Sequence, residues 1–133
     1  MELSERFKAL ADPTRLLMLR IMIEEHQSFC VCEIVSVLKI PQYQVSRHLS
    51  VLKHVGLVKF QKTGTWAYHF FDDTDPQNRL LADLITIAMP TEKYQTEFNR
   101  LKERLALRFN GKCVVGFEEE KGALSIEKHA RKS

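Results

Sequence analysis

The chain has 133 residues, enough for one domain with a real core and too few for two independent ones. Hydrophobic content of 44% and charged content of 28% are ordinary for a soluble globular protein, and no apolar run is long enough to span a membrane. The net charge of +3 is too small to name a partner, but its distribution is uneven. Between Ile34 and Phe71 there is no acid and there are five bases, Lys39, Arg47, Lys53, Lys59 and Lys62, which leaves a net −2 for the remainder of the chain. A one-sign patch on an otherwise acidic molecule attracts a polyanion, unless tertiary contacts bring in counter-charges.

Ser4 to Leu10 reads as a short first helix. Asp12-Pro13 opens a second: the carboxylate can cap free backbone N–H groups, and proline fits the first helical position. Leu16 to Leu19 and Ile21 to Ile23 make that helix apolar on most sides, hence central to the core. A third helix is expected from Cys30 to Leu38. Ile40-Pro41 forces a turn, and a fourth helix follows from Pro41 to His54. Its apolar residues Val45, Leu49 and Leu52 share one face, and about 100° per residue puts Tyr43, Ser46, Arg47 and Ser50 on the other. Gly56 ends it.

Leu57–Gln61 and Trp66–Phe71 are rich in β-formers, and Lys62-Thr63-Gly64-Thr65 between them is a hairpin turn. Asp75-Pro76 starts another helix, running to about Ala88, and Pro90 breaks it. Thr91 to Phe109 is expected as one further helix. Its stripe of Tyr94, Phe98, Leu101, Leu105 and Phe109 suits packing against another helix, and Asn110-Gly111 terminates it. Val114 to Phe117 can form a brief extended piece. From Glu118 onward four acids and four bases give a solvated tail with disorder near its end.

The expected fold is therefore mainly α with a small β-hairpin: a winged helix-turn-helix. The domain covers residues 1–109, and residues 110–133 form a C-terminal extension, partly disordered, carrying Cys113. A helix of this width fills the DNA major groove. Gln42 and Gln44 can pair with adenine, Arg47 with guanine or phosphate, and Ser46 and Ser50 with the backbone, with Tyr43 on the same face. Lys62 and Thr63 at the hairpin tip can reach an adjacent groove. His48 is read as a hydrogen-bonded structural residue, His54 and His69 as surface or DNA-adjacent, and Trp66 as wing packing. No nucleophile–base–orienter set or cofactor loop is present, so the chain is not read as an enzyme. The acidic start, Met1 to Glu5, lacks a signal-peptide pattern, so a reducing cytoplasm is expected. There the three cysteines, Cys30, Cys32 and Cys113, suit thiol chemistry or burial in place of a disulfide framework.

Several stretches in register resemble the ArsR family of metal- and metalloid-sensing bacterial repressors. They are Leu10-Ala11-Asp12-Pro13-Thr14-Arg15, Cys30-Val31-Cys32-Glu33, Gln44 to Leu52, and Gly56-Leu57-Val58 with a wing bearing Trp66 and Tyr68. The resemblance covers roughly Glu2 to Ile87. It implies a homodimer on an inverted-repeat operator in double-stranded DNA, released by an inducer, with dimerisation on the first and last helices. The apolar stripe near the C-terminus agrees with that placement.

The resemblance also implies that Cys30 and Cys32 ligate arsenite, antimonite or soft divalent metals, and soft thiolates suit such ions. A helix N-terminus is expected to lower their thiol pKa values. Residues two apart lie about 200° apart around a helix, so both sulfurs serve one ion only if the pair precedes the first full turn or binding distorts that turn. Some arsenic sensors of the family carry a third cysteine three positions after the pair; here that position is Val35. Arsenic(III) prefers three thiolates, which makes Cys113 the remaining candidate, from its own or the partner subunit. Cys113 equally fits a small buried hydrophobe beside Val114 and Val115. Pro76 to Phe109 contains no histidine for a zinc site, and Met1 to Phe29 no cysteine for a cadmium/lead site. The expectation is thus a repressor induced by As(III) or Sb(III), needing no cofactor to bind DNA. A cadmium/lead sensor or thiol-redox repressor on the same fold, and a cytosolic metal-buffering protein, are the alternatives.

Overall fold

The computed structural model describes residues 1–116. Its elements run α1 (Leu3–Leu10), α2 (Pro13–Glu25), α3 (Val31–Leu38), α4 (Gln42–His54), β1 (Val58–Thr63), β2 (Trp66–Phe71), α5 (Pro76–Ala88), a 3-10 turn (Thr91–Tyr94) and α6 (Gln95–Leu105). Among the described residues, no helix is long and apolar enough to cross a membrane.

The local chemistry sets most boundaries. Asp12 accepts hydrogen bonds from the backbone N–H groups of Thr14 (2.8 Å) and Arg15 (3.0 Å), with Pro13 at the first position of α2. Asp75 repeats the device for α5, accepting from Gln77 N at 2.9 Å. α3 begins at Val31, one residue later than expected, because Cys30 is extended and acts as the cap. α4 likewise begins at Gln42: Pro41 is extended, and its carbonyl takes the first helical hydrogen bonds from Gln44 and Val45. The hairpin differs more. β1 runs on to Thr63, which pairs with Trp66, so only Gly64 and Thr65 form the turn, and Lys62 and Thr63 are strand residues opposite Ala67 and Trp66. Gly64 sits at φ +63°, the left-handed geometry a tight hairpin demands.

α2 is the central element, with Met18, Leu19, Ile21 and Met22 buried against surrounding helices. Arg20 on the same helix is also buried. Its Nε donates to Met89 O at 2.7 Å, and its guanidinium lies 5.4 Å from the Phe98 ring centroid, tying α2 to the end of α5 and to α6. α4 buries Val45, Leu49 and Leu52, the face expected from its sequence. A polar knot fixes the opposite end of the domain. Buried Arg6 donates to Val55 O (2.9 Å) and Gln77 Oε1 (2.8 Å) and pairs with Asp75 (2.8 Å). Buried Asn78 donates to Gly56 O and Asp72 O, both at 2.9 Å. A side chain at Gly56 would meet Arg6 Nη2 at 3.1 Å and be strained at φ +76°.

Two expectations need correction. Thr91 to Phe109 is not one helix: a 3-10 turn leads into α6, which ends at Leu105. Asn110 and Gly111, both at positive φ, form the turn of a small reversal in which Phe109 and Lys112 exchange backbone hydrogen bonds of 2.9 and 3.0 Å. Asn-Gly is the pair that such a turn favours, so the dipeptide reverses the chain instead of capping a helix. The α6 stripe is consumed inside the chain. Phe98 and Leu101 are buried in the core that α3 shares, Tyr94 and Leu105 pack at its margin, and Phe109 is exposed. The apolar residues left uncovered lie elsewhere: Leu80 (72% exposed), Leu84 (56%) and Ile87 (81%) along α5, with Leu3 and Phe7 on α1. The further expectations for Phe117 and for the tail from Glu118 lie outside the described residues.

His69 is buried, not on the surface, and among the described residues neither ring nitrogen has a hydrogen-bond partner. It is covered because β2 runs between β1 and Phe29: His69 stands opposite Phe60, and Phe29 N–H and C=O exchange bonds of 2.8 and 2.7 Å with it. Burial, with a smaller push from Lys53, lowers its pKa to about 4. The unfolded chain therefore takes a proton there between about pH 6.5 and 4 that the folded chain refuses, and stability falls as pH drops through that window. The full effect is on the order of 3 kcal/mol. In urea unfolding followed across that range, His69→Leu should flatten the decline; an unchanged pH slope would remove His69 as its source.

Candidate thiol site and DNA-reading face

The backbone at the start of α3 resolves the geometric difficulty of a Cys-Val-Cys pair. Cys30 has φ −84° and ψ 159°, outside the helix, so its side chain is not confined to the helical wheel. Its sulfur lies 3.3 Å from Cys32 Sγ. The Asn110-Gly111 reversal carries Cys113 of the same chain to the same point, with Cys32 Sγ at 3.5 Å from Cys113 Sγ. All three sulfurs lie within 4.8 Å of one another, are buried, and are free thiols. Bonds of about 2.3 Å to one soft ion allow sulfurs to stand no more than about 4.6 Å apart, so small adjustments suffice to close the set.

Charged groups hold this arrangement. Glu33 is buried; its Oε1 accepts from Cys30 N at 3.1 Å, completing the cap of α3. Arg108 grips the same carboxylate bidentately, Nε to Oε2 and Nη2 to Oε1, both at 2.6 Å. The guanidinium also donates to Ser28 O (2.7 Å) and Gly111 O (3.3 Å), joining the loop before α3 to the C-terminal reversal. Arg104 Nη2 bonds Gly116 O and reaches Cys113 Sγ at 4.0 Å. Cys113 N donates to Tyr68 Oη at 3.0 Å, and Trp66 packs half-buried against the cluster.

The electrostatics depart from the simple helix-terminus expectation. Hydrogen bonding to Cys113 pushes the Cys30 and Cys32 thiols up. The Cys113 thiol is pushed down, because Cys30 and then Cys32 donate to its sulfur, with Arg104 helping. The contacts thus draw the three thiols apart in proton affinity, Cys113 downward and Cys30 and Cys32 upward.

Arg108→Met should leave Glu33 as a buried carboxylate without its cation, at a cost of about 3 kcal/mol in denaturant unfolding. A loss below about 1 kcal/mol would mean that water reaches Glu33 and the pair is not a closed one.

The candidate reading face is presented outward on α4. Gln42, Tyr43, Arg47 and Ser50 are exposed, and Gln44 and Ser46 are half-buried. Gln44 Nε2 donates to Tyr43 Oη at 3.3 Å, and the Arg47 guanidinium lies 5.7 Å from the Tyr43 ring centroid. Lys62 and Thr63 are exposed near the hairpin tip. Of the five bases in the acid-free segment, Lys59 has a counter-charge from outside it, Asp72 at 3.4 Å. Lys53 lies over the Phe60 ring at 4.7 Å, a contact that leaves its charge in place. His48 lies 3.2 Å from Arg15 Nη1, which donates to its Nδ1.

Sequence reasoning missed Glu33, Tyr68, Arg104 and Arg108 as parts of the thiol site. One signal was available: Cys30-x-x-Glu33 has the spacing of a capping box. Arg104 and Arg108 gave none, since bases four apart on a helix read as a solvated face.

An outward polar helix after a tight turn, followed by a hairpin, defines a winged helix-turn-helix transcription regulator, here with a thiol cluster at the head of its positioning helix. Residues 12–59 match the family described as bacterial regulatory protein, arsR family. A regulator of the helix-turn-helix type from Methanocaldococcus jannaschii is 47% identical over 70 residues, 53% of this chain and 78% of that protein. The arsenical resistance operon repressor of Bacillus subtilis is 33% identical over 85 residues, 62% of this chain and 78% of the repressor. A homolog of a cadmium resistance transcriptional regulatory protein from Staphylococcus aureus is 33% identical over 73 residues, 55% and 60% of the two chains. In structure, the homodimeric winged helix-turn-helix DNA-binding domain of a Mycobacterium bovis protein matches with a TM-score of 0.56 at 24% identity, over 66% of this chain and 78% of that one. The chain belongs to the ArsR family of transcription regulators.

Proposed function

We propose that this regulator is a repressor that binds an inverted-repeat operator as a homodimer and leaves it when arsenite or antimonite is captured by Cys30, Cys32 and Cys113. The observation that carries the reading is the convergence of three buried sulfurs from two distant segments of one chain. No carboxylate or imidazole joins them within ligating distance among the described residues, so the donor set is all sulfur, suited to a soft ion with a preference for three thiolates. Resemblance to arsenical resistance repressors supports the metalloid; a cadmium resistance relative keeps a soft divalent cation as the second reading. The reducing cytoplasm, where such a regulator meets its operator, keeps the thiols available.

In this reading residues 1–109 carry DNA binding and dimerisation, and residues 110–133 form the extension that supplies Cys113. The dimer forms through the uncovered apolar residues of α5 and α1, Leu80, Leu84, Ile87, Leu3 and Phe7. α4 enters the major groove with Gln42, Tyr43, Gln44, Ser46, Arg47 and Ser50, while Lys62 and Thr63 at the wing touch neighbouring backbone. α3 is both the positioning helix and the element that carries Cys32 and is capped by Cys30, so a ligand that fixes the thiols biases the backbone that aims α4.

Arsenite titration of the protein on an operator-like inverted repeat tests this directly. Wild type should lose three thiols per bound arsenic and release DNA. Cys113→Ser should lose two and bind arsenite at least about tenfold more weakly; full induction in that variant would remove Cys113 from the ligand set.

Arg47→Ala should weaken operator binding by roughly 1–3 kcal/mol, most strongly at low salt, and leave arsenite affinity unchanged. Undiminished binding in a gel shift would take Arg47 off the reading face.

A further inference from the structure

The thiol site touches the DNA-binding apparatus at a second place besides α3. Phe29, immediately before Cys30, is bridged to His69 of β2 by two backbone hydrogen bonds of 2.8 and 2.7 Å. Cys113, on the other side of the cluster, donates its backbone N–H to the hydroxyl of Tyr68, the neighbouring residue of the same strand, at 3.0 Å. Tyr68 is buried in the thiol cluster, and Trp66 at the head of the strand packs beside it. A methyl added at Gly116 would lie 3.8 Å from Trp66, so the segment carrying Cys113 runs along the wing.

We infer that Tyr68 is the residue through which the wing senses occupancy of the thiol site: its hydroxyl ties the wing strand to the backbone of Cys113, and ligation of Cys113 tilts the hairpin. This rests on the reading of the three cysteines as the inducer site. The strand is anchored at His69 by the Phe29 bridge, and Tyr68 is the next residue toward the tip. At about 3.4 Å per residue, Tyr68 stands one step from that pivot and Gly64 five steps, so a rigid hairpin multiplies a displacement about fivefold at its tip. Thr63, opposite Trp66, lies three steps out and Lys62, opposite Ala67, two, so a shift of about half an ångström at Cys113 moves them by about 1.5 and 1 Å, enough to weaken contacts with phosphate. Tyr68 is a positioning residue in this account. It gives no ligand to the ion and no contact to DNA.

Tyr68→Phe removes one oxygen and keeps the ring that fills the cluster. The measurement is the operator Kd by fluorescence anisotropy, without and with saturating arsenite, beside a count of thiols lost and hydrogen exchange of the hairpin amides. The expected variant binds operator within about twofold of wild type when arsenite is absent and loses the same number of thiols. Its arsenite-induced weakening of DNA binding shrinks on the order of tenfold, a large share of a typical coupling. The arsenite-dependent change in exchange at Lys62 to Trp66, present in wild type, should vanish. An unchanged ratio of the two Kd values with unchanged hairpin exchange overturns the inference while leaving the thiol site intact. Loss of operator binding in the arsenite-free variant also overturns it, since the hydroxyl would then serve the fold alone. If arsenite removes no thiols from wild type, the inducer-site reading fails first, and this inference with it.

Discussion

Glu33 and Arg108 meet in a buried, bidentate ion pair that few local rules would have chosen, and much of the rest of the molecule hangs on it. The carboxylate cannot be left alone in the interior, where an unpaired charge costs several kcal/mol. It is satisfied from two sides: by the backbone of Cys30, which it caps, and by an arginine that follows α6. Because Arg108 must stay at Glu33, the chain after α6 must turn back there, and Asn110-Gly111 provides the turn. Cys113 arrives beside Cys30 and Cys32 as a consequence. One electrostatic obligation thus fixes the start of α3, the path of the C-terminal segment and the closure of the thiol cluster.

The same economy appears at the far end of the domain, where Arg6 binds Val55, Gln77 and Asp75, and Asn78 binds Gly56 and Asp72. These buried polar groups hold α5 at a set angle to α4 and leave the apolar side of α5 outward. The helix proposed to read DNA and the helix proposed to dimerise are therefore rigidly related, and the spacing of two α4 helices in such a dimer becomes a property of the fold. Among the described residues the outer half of the hairpin has no such clamp. The hairpin is held at its base by Phe29 and by Tyr68 and is exposed over its outer half, so it is the element a modest force can move.

The thiols themselves are poised by contact. Three buried sulfurs gathered beside Arg104 form a donor set that needs little movement to close around a soft cation. A soft centre bound there, as proposed, would replace sulfur–sulfur contacts by bonds to one ion with little rearrangement of the chain. What differential affinity exists can bias the α3 and wing conformations.

Much of the fold was written locally. Asp12-Pro13, Asp75-Pro76, Ile40-Pro41 and Gly56 act within a turn of the chain, so the start of α2 and both ends of α3, α4 and α5 came within one residue. The buried face of α4 follows from periodicity alone, as does the outward set of Tyr43, Arg47 and Ser50, with Ser46 half-buried at its edge. The family relationship was legible because it rests on contiguous motifs. Tertiary structure decided the rest, for a common reason: its causes join residues far apart in sequence. That the α6 stripe would be covered by α3, that Asn110-Gly111 would reverse the chain, that His69 would face inward and that Cys113 would meet the Cys30–Cys32 pair all depend on partners that periodicity cannot name. The lowered proton affinity of Cys113, and not of the helix-start thiols, follows from those contacts too. Residue types and spacing supplied the sulfurs and the reading helix; a buried glutamate 75 residues from its arginine brought them into one device.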